Sequence, residues 1–191
     1  MASPLYRVAF LALLVHFAGS DETTDQLLKG INTYRTSLKL SSLTENQNAN
    51  CLAEQIAKQF KGQPCTNTTG ANTIPGTEEQ FSNYPDFLDH CHLNATVTQD
   101  SSIMPVCVPD LQSDLVLSNY TKSQYSGSLN DSKFVGAGLA DEGDWVVVVL
   151  STNTPTGSFS PATASGSGSI TAGAVSFYLM ILFLKLLLLM K

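Results

Sequence analysis

Phe134-Val135-Gly136-Ala137-Gly138-Leu139-Ala140, then Asp141-Glu142-Gly143-Asp144, then Trp145-Val146-Val147-Val148-Val149-Leu150 is the stretch on which the fold turns. Two strand-like apolar runs flank an acidic turn that contains glycine, which is the pattern of a β-hairpin. The second run is apolar at every position. Neither of its faces is suited to water, so a central strand covered on both sides is expected.

Working outward, the residues before the hairpin read as helices. Leu27, Leu28, Ile31, Tyr34 and Leu38 recur at helical spacing behind a cap at Thr24 or Asp25. Ser42-Leu43-Thr44-Glu45 and Thr44-Glu45-Asn46-Gln47 are overlapping capping boxes. Behind them Ala49, Leu52, Ala53, Ile56, Ala57 and Phe60 step by threes and fours until Gly62 and Pro64. Pro85, at a first-turn position, opens a short helix through Cys91. Thr96-Val97-Thr98 and Ile103 to Val108 look β-like, and Pro105 confines the latter to a sheet edge or a bulge. Asp110 to about Tyr125 returns to a helical pattern through Leu111, Leu115 and Val116. Helices first and a hairpin last give an α+β class, with helices packed on a small, mostly antiparallel sheet. Cys65 to Asn83 has no periodicity. A loop of that length in a compact domain is either functional or tied down covalently.

The two ends speak to location. Met1 to Ser20 has a positive Arg7, an apolar run from Val8 to Val15, and small residues at Ala18 and Ser20. That is the layout of a secretory signal peptide, cleaved between Ser20 and Asp21. Near the other end, Ala164-Ser165-Gly166-Ser167-Gly168-Ser169 leads through a short spacer into the apolar run Val175 to Met190. Small residues, a spacer and a terminal apolar tail form the signal for replacement by a glycosylphosphatidylinositol (GPI) lipid. Ser165 is the favoured attachment residue, with Ala164, Gly166 and Ser167 as alternatives. A type I transmembrane helix is the competing reading. Lys185 sits inside the run, where a cation near mid-span costs about 2.5–3.5 kcal/mol, and only Lys191 is available as a basic stop. The expected layout is a signal peptide over 1–20, an ectodomain over 21–151, a Thr/Ser/Pro/Gly stalk over 152–165, and a removed propeptide over 166–191.

The segment 21–165 holds all sixteen acidic residues against seven basic ones. A domain that negative does not seek nucleic acid or anionic headgroups. Four cysteines, Cys51, Cys65, Cys91 and Cys107, imply two disulfides in a secreted chain. A helix from Cys51 to Phe60 leaves Cys65 too far away for an easy bridge back, given the roughly 7 Å limit between paired Cα atoms. Two pairings then remain, and Cys51–Cys107 with Cys65–Cys91 is preferred over Cys51–Cys91 with Cys65–Cys107. Four N-glycosylation sequons begin at Asn67, Asn94, Asn119 and Asn130, each asparagine expected at the surface.

Leu28-x-x-Ile31-Asn32-x-x-Arg35, then Leu40 and Leu43, then Leu52-Ala53-x-x-x-Ala57 resembles the opening of the CAP superfamily of cysteine-rich secretory and pathogenesis-related proteins. With Gln63 to Gly70, Asn83-Tyr84-Pro85, Ser128 to Lys133 and the Trp145 strand added, the chain is similar to plant GPI-anchored surface proteins that carry a CAP-like domain. The resemblance covers about Asp25 to Phe159 and implies an α-β-α sandwich. It also implies a pocket of paired histidines and glutamates, but here the match fails. No histidine follows His92, and His90 and His92 flank Cys91 as expected surface residues. The family's metal pocket is therefore not carried over, and no metal or cofactor is expected.

No catalytic constellation emerges. Gly-x-Ser-x-Gly is absent, and all four cysteines have disulfide roles. Asp86/Asp89, Glu78/Glu79 and Asp141/Glu142/Asp144 are local carboxylate groups, expected to be solvated rather than glycosidase acids. The expected function is a GPI-anchored, N-glycosylated, non-enzymatic binding or co-receptor-type module of the plasma membrane and cell wall. Its partners would be the membrane through the lipid, its glycans, and an extracellular ligand or a membrane-spanning co-receptor. The Cys65 to Asn83 loop is a candidate contact. The alternative is a divergent CAP-type protein with a lipid (sterol)-binding or hydrolytic pocket.

Overall fold

The computed structural model describes residues 20–65 and 83–161 of the 191. Residues 1–19 of the stretch read as a signal peptide, the sequon at Asn67, the Glu78/Glu79 pair, most of the Cys65–Asn83 contact candidate and the stretch read as a GPI signal, including Ser165, lie outside the described residues.

Among the described residues, five helices, two 3-10 turns and four strands follow in order. Helix α1 is Ser20–Ser37, strand β1 Thr44–Glu45, helix α2 Gln47–Phe60 and helix α3 Tyr84–His90. A 3-10 turn at Ala95–Thr98 leads to β2, Ser102–Cys107. A second 3-10 turn, Pro109–Leu111, precedes α4, Ser113–Thr121, and α5, Ser126–Leu129. The hairpin closes the order as β3, Phe134–Glu142, and β4, Trp145–Thr152. No helix among the described residues is long and apolar enough to cross a membrane.

The sheet runs β1-β3-β4-β2, with β1 parallel to β3 and the other pairs antiparallel. Every residue of β4 is buried, as its unbroken apolar pattern requires. Its side chains alternate between two cores. Val146, Val148 and Leu150 join Leu27 and Ile31 of α1, Val116 and Tyr120 of α4, and Tyr125 and Leu129. Val147 and Val149 join Leu52, Ala53 and Ile56 of α2 and Phe87 and Leu88 of α3. The result is an α-β-α sandwich. Gly143, at φ +61, supplies the left-handed residue that the two-residue hairpin turn needs.

The Asn-x-x-Arg pattern of α1 is a backbone clamp. Asn32 donates Nδ2 to the Leu43 carbonyl at 3.0 Å and accepts the Leu43 N–H at 2.7 Å. Arg35 is 1% exposed and has only carbonyls around its guanidinium: Ser41 at 2.9 Å, Leu129 at 2.7 Å, Asp131 at 3.2 Å and Phe134 at 2.9 Å. Burial pulls its pKa down, and the charge of Asp131 partly opposes that. On the other face, α2 lies directly on β3. A Cβ at Gly138 would stand 2.0 Å from the Ala49 carbonyl carbon, so only glycine allows this approach.

Several expectations need correction. The disulfides are Cys51–Cys91 and Cys65–Cys107, the reverse of the preferred pairing. Cys107 lies opposite Trp145 in the β2–β4 register, and Trp145 stacks on Phe60 and donates Nε1 to the Gln63 carbonyl at 3.0 Å. That brings Cys65 to the end of β2, and register is not written in local sequence. Thr44-Glu45 is a strand rather than the start of α2, which is capped by Asn46 through the N–H groups of Asn48 and Ala49, both at 3.1 Å. Thr96-Val97-Thr98 forms a 3-10 turn, because Asn94 accepts the N–H groups of Thr96 and Val97 and so favours a turn over extension. Residues 152–161, expected to open the stalk, are held against the folded domain. Phe159 is fully buried among α2 and α3, and the Asn46 and Asn48 side chains donate to the Ser158 and Phe159 carbonyls at 3.2 and 2.7 Å. The aromatic residue in that otherwise small and polar stretch was the signal.

Candidate functional site

The residue types that could carry chemistry gather on one side of the sheet, beside β3. Strand β1 is two residues long, and it covers β3 only at Gly136 and Ala137. Beyond that point β3 has no strand neighbour on this edge among the described residues. The alternation of an antiparallel ladder turns every second residue outward, and the Leu139 N–H faces out, where it donates to Asn50 Oδ1 at 2.8 Å. The same alternation turns the Asp141 N–H outward. No partner is found for it, or for the Leu139 carbonyl, among the described residues.

A cleft of about 610 Å³ opens against this bare edge. One wall is the first half of α1, with Thr24, Asp25 and Leu28, and the other is α2, with Asn50, Glu54 and Lys58. Leu139, Ala140, Asp141 and Glu142 form the floor, and Glu45 and Gln47 lie at the β1 end. The lining thus holds five carboxylates and one lysine. Asn50 organises the β1 end. Its Oδ1 takes the Leu139 N–H, and its Nδ2 donates to Glu45 Oε1, which also accepts from Gln47 Nε2 at 2.8 Å.

Asp141 is the unusual member. Its Oδ1 is buried without a hydrogen-bond partner. Burial, reinforced by the neighbouring charge of Glu142, raises its pKa above the ordinary carboxylate value. Glu142 is paired with Lys61 at 2.6 Å, and Asp144 accepts the Asp110 N–H at 3.0 Å. The acidic turn is therefore split: Asp144 and Glu142 have structural partners, and Asp141 Oδ1 has none among the described residues. In sequence the three look like one solvated group, Asp25 and Glu45 look like capping residues, and nothing marks Asn50 or Glu54 as lining a cleft. The i,i+4 spacing of Glu54 and Lys58, which pair at 3.5 Å, was a visible signal, but one that usually means a solvated helix face.

The other singled-out residues stand apart from the cleft. Asn119, on α4, and Asn130, after α5, are exposed, and Asn94 is half-buried as a turn cap. Asn119 donates Nδ2 to the Leu115 carbonyl at 2.9 Å. His90, His92, Asp86 and Asp89 are exposed. Among the described residues no three His, Cys, Asp or Glu side chains converge closely enough to hold a metal ion.

A family model described as "Uncharacterized GPI-anchored protein At5g19230-like domain" matches residues 24–150. The chain belongs to that family. A relative from Arabidopsis thaliana, named "Uncharacterized GPI-anchored protein At3g06035", is 57% identical over 163 residues, covering 83% of this chain and 82% of the relative. Among solved structures, an extracellular protein containing an SCP domain from Bacillus anthracis superposes with a TM-score of 0.51 at 15% identity, over 69% of this chain and 40% of that one. A cysteine-rich secretory protein from Staphylococcus aureus gives 0.46 at 13% identity, over 70% and 39%. The chain thus spans about two fifths of the length of these solved proteins. The Bacillus likeness is one of fold and agrees with the CAP-type sandwich described above.

Proposed function

We propose that this protein is an N-glycosylated surface module held to the outer face of the plasma membrane by a GPI lipid, and that it binds a partner through the carboxylate-lined cleft without catalysing a reaction. The carrying observation is the cleft itself: charged walls and a strand edge whose Leu139 carbonyl and Asp141 N–H meet no partner among the described residues, with neither a nucleophile–base pair nor a convergent metal group among the described residues that line it. A GPI anchor is supported by the names of the family and of the Arabidopsis relative, together with the small-residue and apolar pattern from Ala164 to Met190. Exposed asparagines at Asn119 and Asn130 are consistent with glycan attachment. A chain held this way would have no cytoplasmic part, so signalling would require a membrane-spanning partner.

A phosphatidylinositol-specific phospholipase tests the anchor. Release of the full chain from the surface of expressing cells is expected, and retention after treatment would overturn it. One observation favours a hydrolytic alternative: Asp141, with its pKa raised by burial, has the character of a general acid. Hydrolysis of a polysaccharide by the wild-type protein, lost in Asp141→Asn, would establish that reading instead. The polar lining gives the sterol version no comparable support.

A further inference from the structure

The bare edge of β3 and the charges around it specify what kind of partner the cleft suits. An unpaired strand edge presents alternating N–H and carbonyl groups, and an extended peptide satisfies them by adding as a further strand. In most proteins such an edge is covered. Here the Leu139 carbonyl and the Asp141 N–H face the cleft of about 610 Å³, immediately beyond the two residues where β1 occupies the same edge. A strand lying there would extend the row that β1 begins.

The side chains of such a strand alternate to the two faces of the sheet. On the α1 face they meet Asp25 and Asp141, and on the α2 face Glu54 and, towards β1, Glu45. Lys58, paired with Glu54, also stands on the α2 wall, but across the cleft the carboxylates outnumber it five to one. The carboxylates are strung along the cleft rather than gathered around one point, which disfavours a single metal ion and suits cations spaced along a chain. Asp141 adds a carboxylate oxygen that is buried and unmatched in the free protein. None of the three described sequon asparagines lines the cleft. The last described residues are held at the N-terminal end of α2, through the bonds from Asn46 and Asn48. Lys58 is near the other end of this 14-residue helix, which is about 21 Å long at 1.5 Å per residue.

We propose that the cleft binds an extended, lysine- or arginine-rich segment of a partner protein, which adds to β3 alongside Leu139–Glu142 as a strand continuing β1. The proposal rests on the binding-module reading and names the class of ligand for it. Backbone pairing sets the register, while the charges on the two walls select for basic side chains and make the association sensitive to salt.

The test uses cells displaying the full chain with an epitope tag. The probe is a fluorescent peptide, (Lys-Lys-Thr-Thr)2, whose lysines fall on both faces of a strand. Saturable binding is expected, about fivefold weaker for either Glu54→Gln or Asp141→Asn and about tenfold weaker for a peptide N-methylated at alternate residues. Asp89→Asn, on exposed α3 surface, should leave binding unchanged. Absence of binding, equal binding of the N-methylated peptide, displacement by spermine or calcium at matched charge, or indifference to both acid variants would overturn the proposal. The tag signal and its release by phospholipase report anchoring independently, so failure of the anchor and failure of the ligand assignment give different results.

Discussion

The two edges of the sheet are finished in opposite ways. On β2, Pro105 has no N–H to leave unpaired, and its carbonyl accepts the Tyr125 hydroxyl at 3.0 Å. Tyr120 reaches the same region, its hydroxyl 3.0 Å from the Met104 carbonyl and 2.9 Å from that of Val146, and the end of the strand is bolted by Cys65–Cys107. On β3, covering stops after two residues, and the exposed backbone is ringed by carboxylates. Natural sheets blunt their edges because an open edge recruits other chains. One edge here is closed with proline, the Tyr125 hydroxyl and a disulfide, with Tyr120 tying β2 to β4 behind it, while the other is left open beside an acidic cleft. That contrast separates the edge closed by packing from the edge at which the proposed recognition takes place.

The largest expected effect is on the closed side. Removing the Cys65–Cys107 bridge by a double serine substitution frees a loop with a sequence separation of 42, and should cost roughly 4 kcal/mol. Thermal unfolding followed by circular dichroism should move down by about 10–15 °C. Basic-peptide binding below the transition should persist.

Gly138→Ala probes the seam between α2 and β3 and is expected to cost about 3 kcal/mol, since its new methyl meets helix backbone rather than a movable side chain. Unlike the cysteine variant, it should also disturb the cleft, because Asn50 and Leu139 move with the contact. A Gly138→Ala protein as stable as the wild type would mean that α2 does not rest on β3 as described.

Tyr125→Phe leaves the Pro105 carbonyl without its hydroxyl partner and should cost about 1–2 kcal/mol by urea unfolding. Both buried tyrosines have raised pKa values, chiefly through burial. A group that binds its proton more tightly when folded contributes stability below its unfolded pKa and loses it as pH rises beyond. The closed edge should therefore weaken above about pH 10, the ordinary tyrosine value, and Tyr125→Phe should reduce that alkaline loss.

Asp141→Asn has the smallest effect on stability and the opposite sign. Its raised pKa means that the ionised carboxylate is unfavourable in the fold. The variant should be more stable by about 1–2 °C near pH 7, with the gain shrinking as pH falls towards about 4, where the carboxyl is protonated in any case. Greater stability with weaker peptide binding is the signature of a group retained for recognition.

How much of this was legible in the sequence follows the range of the interactions. The 3–4 spacing from Ala49 to Phe60 located α2, because the burial of that face is decided along one helix. The unbroken apolar run from Trp145 to Leu150 located the central strand, and Pro105 placed its neighbour at an edge. The Cys51–Cys91 and Cys65–Cys107 pairing depends on strand register and on where Trp145 settles, and neither has a local signature. The cleft was invisible for the same reason. Asn50 and Leu139 bond across 89 positions, and Asp25 comes from a third segment. Asp141 looked like part of a solvated turn until the fold gave its neighbours partners and left it without one.

The most direct test of the contrast is residue-resolved amide hydrogen exchange on the full-length protein in detergent, with and without (Lys-Lys-Thr-Thr)2. The account expects the Asp141 N–H to exchange freely in the unliganded protein and to slow at least about tenfold with peptide, while amides of β2 stay slow throughout. An Asp141 amide already as protected as those of β2, or one unaffected by bound peptide, would contradict the claim that β3 is an open edge awaiting a strand.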